Sequence, residues 1–186
     1  MNKGKKTLNI SIFGEKYIPK IELIETYIKE KKYGEKKPKN YGLSFVKIFK
    51  DKTSLKLHIY EHSEVPDKKV KDIATHHCAI IMFDMTNRTT FEDVLDKWIR
   101  FLREIKYNNS IILFGTRNPN PNEKDSLPMT DKEEINSLIE IANIKGEFYD
   151  ISDKNDKEIS DLIDNLIEQS YEESKSNMNK KDCIIF

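Results

Sequence analysis

Short apolar runs of strand type alternate with apolar stripes of helical spacing along most of this chain. Leu8–Phe13 is a short apolar run ending at Gly14 and predicts a strand. Ile21, Ile24 and Ile28 recur at helical spacing and predict a helix over Lys20–Lys31, followed by a Lys/Gly/Pro-rich loop. Phe45–Phe49 and Leu55–Tyr60 are strand-like and joined by a polar turn, as in a hairpin. Pro66–His76 is polar and weakly helical, and Ala79–Met85 has the unbroken apolar character of a strand buried on both faces. Thr89 with Glu92 has the pattern of a capping box, and the helix after it carries Phe91, Val94, Leu95, Trp98, Leu102 and Ile105 on one stripe. Ser110–Phe114 is a further buried strand, an Asn/Pro loop runs to Met129, and Thr130 with Glu133 opens a helix through Ile141. Glu147–Asp150 is a short strand. Asn155 with Glu158 caps a last helix whose stripe is Ile159, Leu162, Ile163, Leu166 and Ile167.

Strands alternating with helices imply a mostly parallel sheet covered on both faces. Ligands bind such sheets at the carboxyl ends of the strands, which directs attention to the loops starting at Gly14, Glu61, Asp84, Gly115 and Ile151. No internal repeat or second domain is visible. Residues 1–170 form one α/β domain, and 171–186 are polar and read as a flexible tail.

Composition narrows the classes. The chain has 186 residues, enough for one full core. Lys+Arg and Asp+Glu both number 32, a balance that argues against a nucleic-acid binder. The two cysteines, Cys78 and Cys183, form no disulfide framework. No stretch approaches the roughly 20 apolar residues of a membrane span, and the basic start is not followed by a signal-peptide apolar region. The expectation is synthesis in the cytosol.

The best local signature is FDMTNRTTFEDVLDKWIRFLREI, residues 83–105, a strand, a D-x-T-N turn and a Thr-Phe…Trp helix. Together with YGLSF (41–45), LKLHIY (55–60), ILFGT (112–116) and FYDISDK (148–154), it resembles the small GTPases of the Ras superfamily, and the Rab type in particular. The resemblance covers about residues 7–170 and implies a small-GTPase-like P-loop fold, a six-stranded mixed sheet with helices on both faces. The segment order alone is equally compatible with an unrelated α/β domain.

That family holds GTP or GDP with Mg²⁺, and the residues it uses can be checked one by one. The phosphate loop G-x-x-x-x-G-K-[ST] corresponds to GEKYIPKI, residues 14–21. Gly14 and Lys20 match. Pro19, at the second glycine, has no N–H to offer a phosphate, and Ile21, at the hydroxyl position, cannot coordinate a hard cation. Glu15 adds negative charge beside the expected polyphosphate. Asn40 stands at the threonine of switch I. Switch II, D-x-x-G-Q, reads EHSEV: Glu61 for the Asp, Glu64 for the glycine that senses the γ-phosphate, and Val65 for the Gln that orients water. The guanine loop N-K-x-D reads Thr116–Pro119, with Pro119 lacking the carboxylate that takes the base's N–H groups, and Asn118 or Asn120 able to substitute only if the register slips. Ser152 and Lys154 match the S-A-K loop. The cofactor-binding positions retained are thus Gly14, Lys20, Ser152 and Lys154. No catalytic residue and no metal ligand is assigned. The competing reading of Lys20 is a solvated lysine at a helix start.

The chain ends Cys183-Ile184-Ile185-Phe186, which fits a C-a-a-X prenylation box, and a terminal Phe favours geranylgeranyl. Lys175, Lys180 and Lys181 add a thin basic patch for an anionic membrane. His76-His77-Cys78 reads as a metal cluster in appearance only, since adjacent residues point apart. Asp84 reads as structural, and His58 and His62 as solvated residues flanking switch II.

The resemblance therefore implies a prenylated, Rab-like pseudo-GTPase with no bound cofactor, peripheral on the cytosolic face of a membrane. It would bind protein effectors or complex subunits in vesicle trafficking or signalling. Two other readings stay open: a divergent GTPase that binds and slowly hydrolyses GTP with Mg²⁺, and a structural subunit of a trafficking or cytoskeletal complex.

Overall fold

The computed structural model describes residues 6–31, 43–48, 54–67, 72–117, 130–144 and 147–182. Apolar side chains alternate along β1 (Lys6–Phe13), with Leu8, Ile10 and Ile12 on one face and Phe13 on the other, so both faces need covering. Helix α1 (Lys20–Glu30) returns antiparallel to β1 and buries Leu23, Ile24, Tyr27 and Ile28. β2 (Leu43–Ile48) and β3 (Ser54–His62) pair antiparallel; β3 then runs parallel beside β1, with Phe13 opposite His62.

A single 3₁₀ turn, Ile73–Thr75, leads into β4 (Cys78–Asp84), every residue of which is buried. A long helical stretch follows, made of α2 (Arg88–Asp93), a π-helical segment (Val94–Ile99) and α3 (Arg100–Glu104). β5 (Ser110–Thr116), α4 (Lys132–Ile141), β6 (Phe148–Asp150) and α5 (Asp156–Asp182) complete the order. The strand order is β2-β3-β1-β4-β5-β6, six strands among the described residues, and only β2 is antiparallel. The mostly parallel sheet covered on both faces is what the alternation implies, and its six strands with one antiparallel are what the resemblance implies.

Each face of the sheet has its own core. Leu8, Ile10, Ile12, Cys78, Ile80 and Met82 pack against α1 and α5. Phe13, Ala79, Ile81 and Phe83 pack against the α2–α3 stretch and α4, with Trp98 1% exposed at the centre. That a strand has one set of side chains in each core explains why β4 reads as continuously apolar.

Several local expectations change. The helix after β4 starts one residue earlier than Thr89: Asn87 is its cap and accepts the Thr89 N–H at 3.1 Å, while Thr90 bonds the backbone of Asp84 instead. The π segment places an extra residue in its turn and moves the buried face. Ile99 and Phe101 are therefore buried, while Leu95 and Ile105 are only partly so. α4 is capped by Asp131, which accepts the Glu134 N–H at 2.8 Å, not by Thr130, which is buried. The Asn155–Glu158 box forms in both directions, at 2.9 and 3.0 Å. α5 continues to Asp182, beyond the start of the polar stretch at 171, and its packed face reaches as far as Ser170 and Tyr171, both buried.

Candidate functional site

In this sheet β1, β3, β4, β5 and β6 share a direction, so their carboxyl ends line one edge. Gly14 begins the loop after β1. Its φ is +153°, and a Cβ there would come within 2.6 Å of the Met82 carbonyl oxygen, so the position requires glycine. Its N–H donates to the His62 carbonyl at 3.2 Å, tying the loop to β3. The chain then turns through Glu15–Pro19, with Ile18 buried, and enters α1 at Lys20.

Lys20 is 2% exposed. The solvated-lysine reading is therefore wrong: α1 starts where its first side chain points back under the loop. Its ammonium donates to the carbonyl oxygens of Gly14 at 2.9 Å and Glu15 at 2.6 Å, and pairs with the Glu61 carboxylate at 3.2 Å. An ammonium has three N–H donors, and three acceptors of this chain meet them. Burial pulls the Lys20 pKa down, while Glu61 opposes that shift. Glu61 also accepts a hydrogen bond from Ser63 at 2.5 Å.

Glu15 is paired as well. The Lys97 ammonium, in the π segment, donates to its carboxylate, and Lys97 lies over the Trp98 ring at 4.5 Å from the centroid. Asp93 lies close enough that burial, followed by the charge of Glu15, raises its pKa. Tyr17 is half exposed at the loop tip and accepts from Asn87 Nδ2 at 3.0 Å. Burial raises its pKa first, then the charges of Asp84, Glu15 and Asp93. The mouth of the loop is an anionic environment held by two chain-derived ammonium groups.

Beyond Lys20, the loop has Pro19 without an N–H and Ile21 without an oxygen, as the sequence shows. In switch II, Glu64 and Val65 are exposed at the end of β3. Asp84 is buried and accepts from the Thr86 N–H and hydroxyl at 2.9 and 2.6 Å, a structural turn. Ser152 spends its hydroxyl on Asp150 at 2.6 Å, and Lys154 is exposed. Gly14 with Lys20 and Ser152 with Lys154 share the same sheet edge. They are three strands apart, about 14 Å at the usual strand spacing. Asn40, Asn118, Pro119, Asn120 and Cys183 lie outside the described residues.

Sequence reasoning missed Lys97. Nothing local marks it, because its partner is 82 residues away and the π segment sets its direction. It also misread His62, which is only partly exposed, stacks on Phe13 at 4.8 Å between ring centroids and has its pKa pushed down to about 4, chiefly by burial. His76 stacks on Tyr60 and shares a 2.7 Å hydrogen bond with Ser11, and burial depresses its pKa to about 4 as well. His77 faces the other way and accepts from the Asn9 N–H at 3.1 Å, and burial pushes the Cys78 thiol up to about 12. The three adjacent residues thus point to separate surroundings. Among the described residues, no group of three or more His, Cys, Asp or Glu is placed to hold a metal ion, and no helix is long and apolar enough to cross a membrane.

The sheet order, the glycine-led loop after β1 and the lysine that opens α1 are arranged as in the family the sequence resembles. A profile of the Ras family matches residues 9–172. The Ras-related protein Rab-7B of Dictyostelium discoideum is 25% identical over 186 aligned residues, covering 95% of this chain and 89% of its own length. With that match running from β1 to the middle of α5 on a sheet of this topology, the chain belongs to the Ras family of small GTPases and is Rab-like.

Proposed function

We propose that this protein is a pseudo-GTPase: a Rab-like fold that binds protein partners without a guanine-nucleotide switch. The observation that carries the reading is the saturation of Lys20 by Gly14, Glu15 and Glu61. A phosphate-loop lysine acts by offering its donors to the β- and γ-phosphates. Here those donors serve the chain's own oxygens, and Glu15, Asp84 and Asp93 concentrate negative charge at the loop mouth. A polyphosphate arriving there would displace an internal ion pair and meet like charge. A γ-phosphate orders switch loops only through contacts, and Glu64 and Val65 offer none of the family's. The residues present do not fit magnesium triphosphate, since no Ser or Thr oxygen stands at position 21.

The same reading makes Cys183 the point of attachment for a prenyl group, so the protein would act at a membrane surface, in vesicle trafficking or signalling. One observation favours the alternative of a slow working GTPase: the left-handed glycine and the loop lysine are both kept in place. Nucleotide content separates the two. Protein purified with Mg²⁺ throughout and then denatured should release no guanine nucleotide on an anion-exchange column, and added Mg-GTP should leave its melting temperature unchanged. Near-stoichiometric GDP or GTP in the supernatant would end the pseudo-GTPase reading.

A further inference from the structure

Between the α2–π stretch and α4 lies an open cleft of about 530 Å³, on a surface that none of the loop residues from Gly14 to Lys20 lines. Its apolar lining is Phe91, Leu95, Leu138 and Ile141. Ile141 is 75% exposed, an unusual state for an isoleucine on the same helix as the buried Ile135 and Leu138. Among the described lining residues, five carboxylates (Glu92, Asp96, Asp131, Glu133 and Glu134) surround this apolar strip, against one guanidinium, Arg88. The excess is four negative charges on one short surface of a chain whose 32 basic and 32 acidic residues cancel overall.

Part of that charge has a structural use. Asp131 caps α4, and Arg88 bridges Glu92 at 3.2 Å and Glu134 at 2.7 Å, joining the cleft's two walls. The rest does not. Asp96 is exposed midway along the π segment, where Arg100 at 3.9 Å is its ion-pair partner among the described residues, and Glu133 makes no hydrogen bond or ion pair with another described residue. Phe91 and Leu138 are buried and form the floor, Leu95 is half-buried, and Ile141 is the apolar side chain that stands open to solvent. An acidic rim around such a floor is complementary to a segment with leucine-type side chains on one face and lysines or arginines beside them.

We propose that the α2–α4 cleft is a docking groove for a basic amphipathic helix of a partner protein. α4 from Lys132 to Ile141 is 10 residues long, about 15 Å at the helical rise, which suits two to three turns of a bound helix. Apolar anchors at i, i+3, i+4 and i+7 enter between Leu95 and Ile141, and the flanking cations face Asp96 and Glu133. The carboxylates set orientation, association rate and salt dependence, and the buried anchors set the dissociation rate.

The test uses the full-length protein and a fluorescein-labelled synthetic peptide with leucines at those four positions and lysines on both flanks, followed by fluorescence anisotropy. Saturable binding that weakens as salt rises is expected. Ile141→Asp should weaken it by about tenfold or more, without altering the circular dichroism spectrum, because the side chain is already solvent-exposed. Asp96→Lys with Glu133→Lys should weaken it and remove most of its salt dependence. The same peptide with glutamate for lysine should not bind. Absence of saturable binding, or equal affinity for the Ile141→Asp protein, overturns the proposal. Sedimentation showing a dimer that Ile141→Asp dissolves also overturns it, by assigning the groove to a second copy.

Discussion

Lys20→Met removes a charge that the fold has buried and leaves the side chain's length nearly unchanged. In the native protein the Lys20 ammonium meets two carbonyl oxygens and one carboxylate, and it is 2% exposed. Hydrogen bonds to a charged group contribute about 1.5–3 kcal/mol each, and breaking a fully buried pair costs about 3–5 kcal/mol. The Glu61 side chain is 28% exposed, so water reclaims part of that loss. The expected cost is about 2–4 kcal/mol, which for a domain of this size lowers the melting temperature by about 5–12 °C. Urea unfolding of Lys20→Met, Glu61→Gln and the double variant closes a thermodynamic cycle that isolates the pair. The double variant should lose clearly less than the two single losses added together, because each single change already abolishes the same contact. A Lys20→Met cost below about 0.5 kcal/mol would refute the argument that the loop lysine is bound internally, and additive single losses would refute its pairing with Glu61.

Acid should destabilise the switch II end of the sheet. His62 and His76 have folded pKa values near 4 against an ordinary 6.5. Their depressed folded pKa means the unfolded chain binds more protons below 6.5, so stability is complete above that pH and falls as pH drops from 6.5 toward 4. The loss is on the order of 3 kcal/mol for a single histidine, and replacing both with Asn should make the urea-midpoint profile shallower across that window, with His58 and His77, also depressed by burial, keeping part of the slope. Gly14→Ala forces a Cβ to 2.6 Å from a backbone oxygen at a φ of +153°, and should cost about 2–4 kcal/mol in thermal unfolding. In eukaryotic cells the wild-type chain should fractionate with membranes and carry a prenyl mass, whereas Cys183→Ser should stay in the supernatant at the unmodified mass. An unmodified wild-type chain would remove the lipid-anchor proposal.

The order of strands and helices, the apolar stripe of the last helix and the Asn155–Glu158 cap were legible from the sequence, because each depends on neighbours within a few residues and on a period of 2 or 3.6, whereas the stripe after β4 was legible only in part because its π segment departs from that period. The missing chemistry at Pro19, Ile21 and Val65 was equally plain, since a side chain without an N–H or an oxygen lacks it in any fold. Tertiary structure alone decided which groups the retained residues serve. Lys20 is a phosphate ligand or a solvated cation on paper; only the fold of Gly14–Pro19 over it and the parallel placing of β3 beside β1 bring Glu61 to 3.2 Å and shut out water. Lys97 finds Glu15 because a π-helical segment redirects it, and the two histidines titrate low because aromatic rings cover them. Such contacts join residues 16 to 82 positions apart, and neither local propensity nor periodicity contains a distance across the sheet.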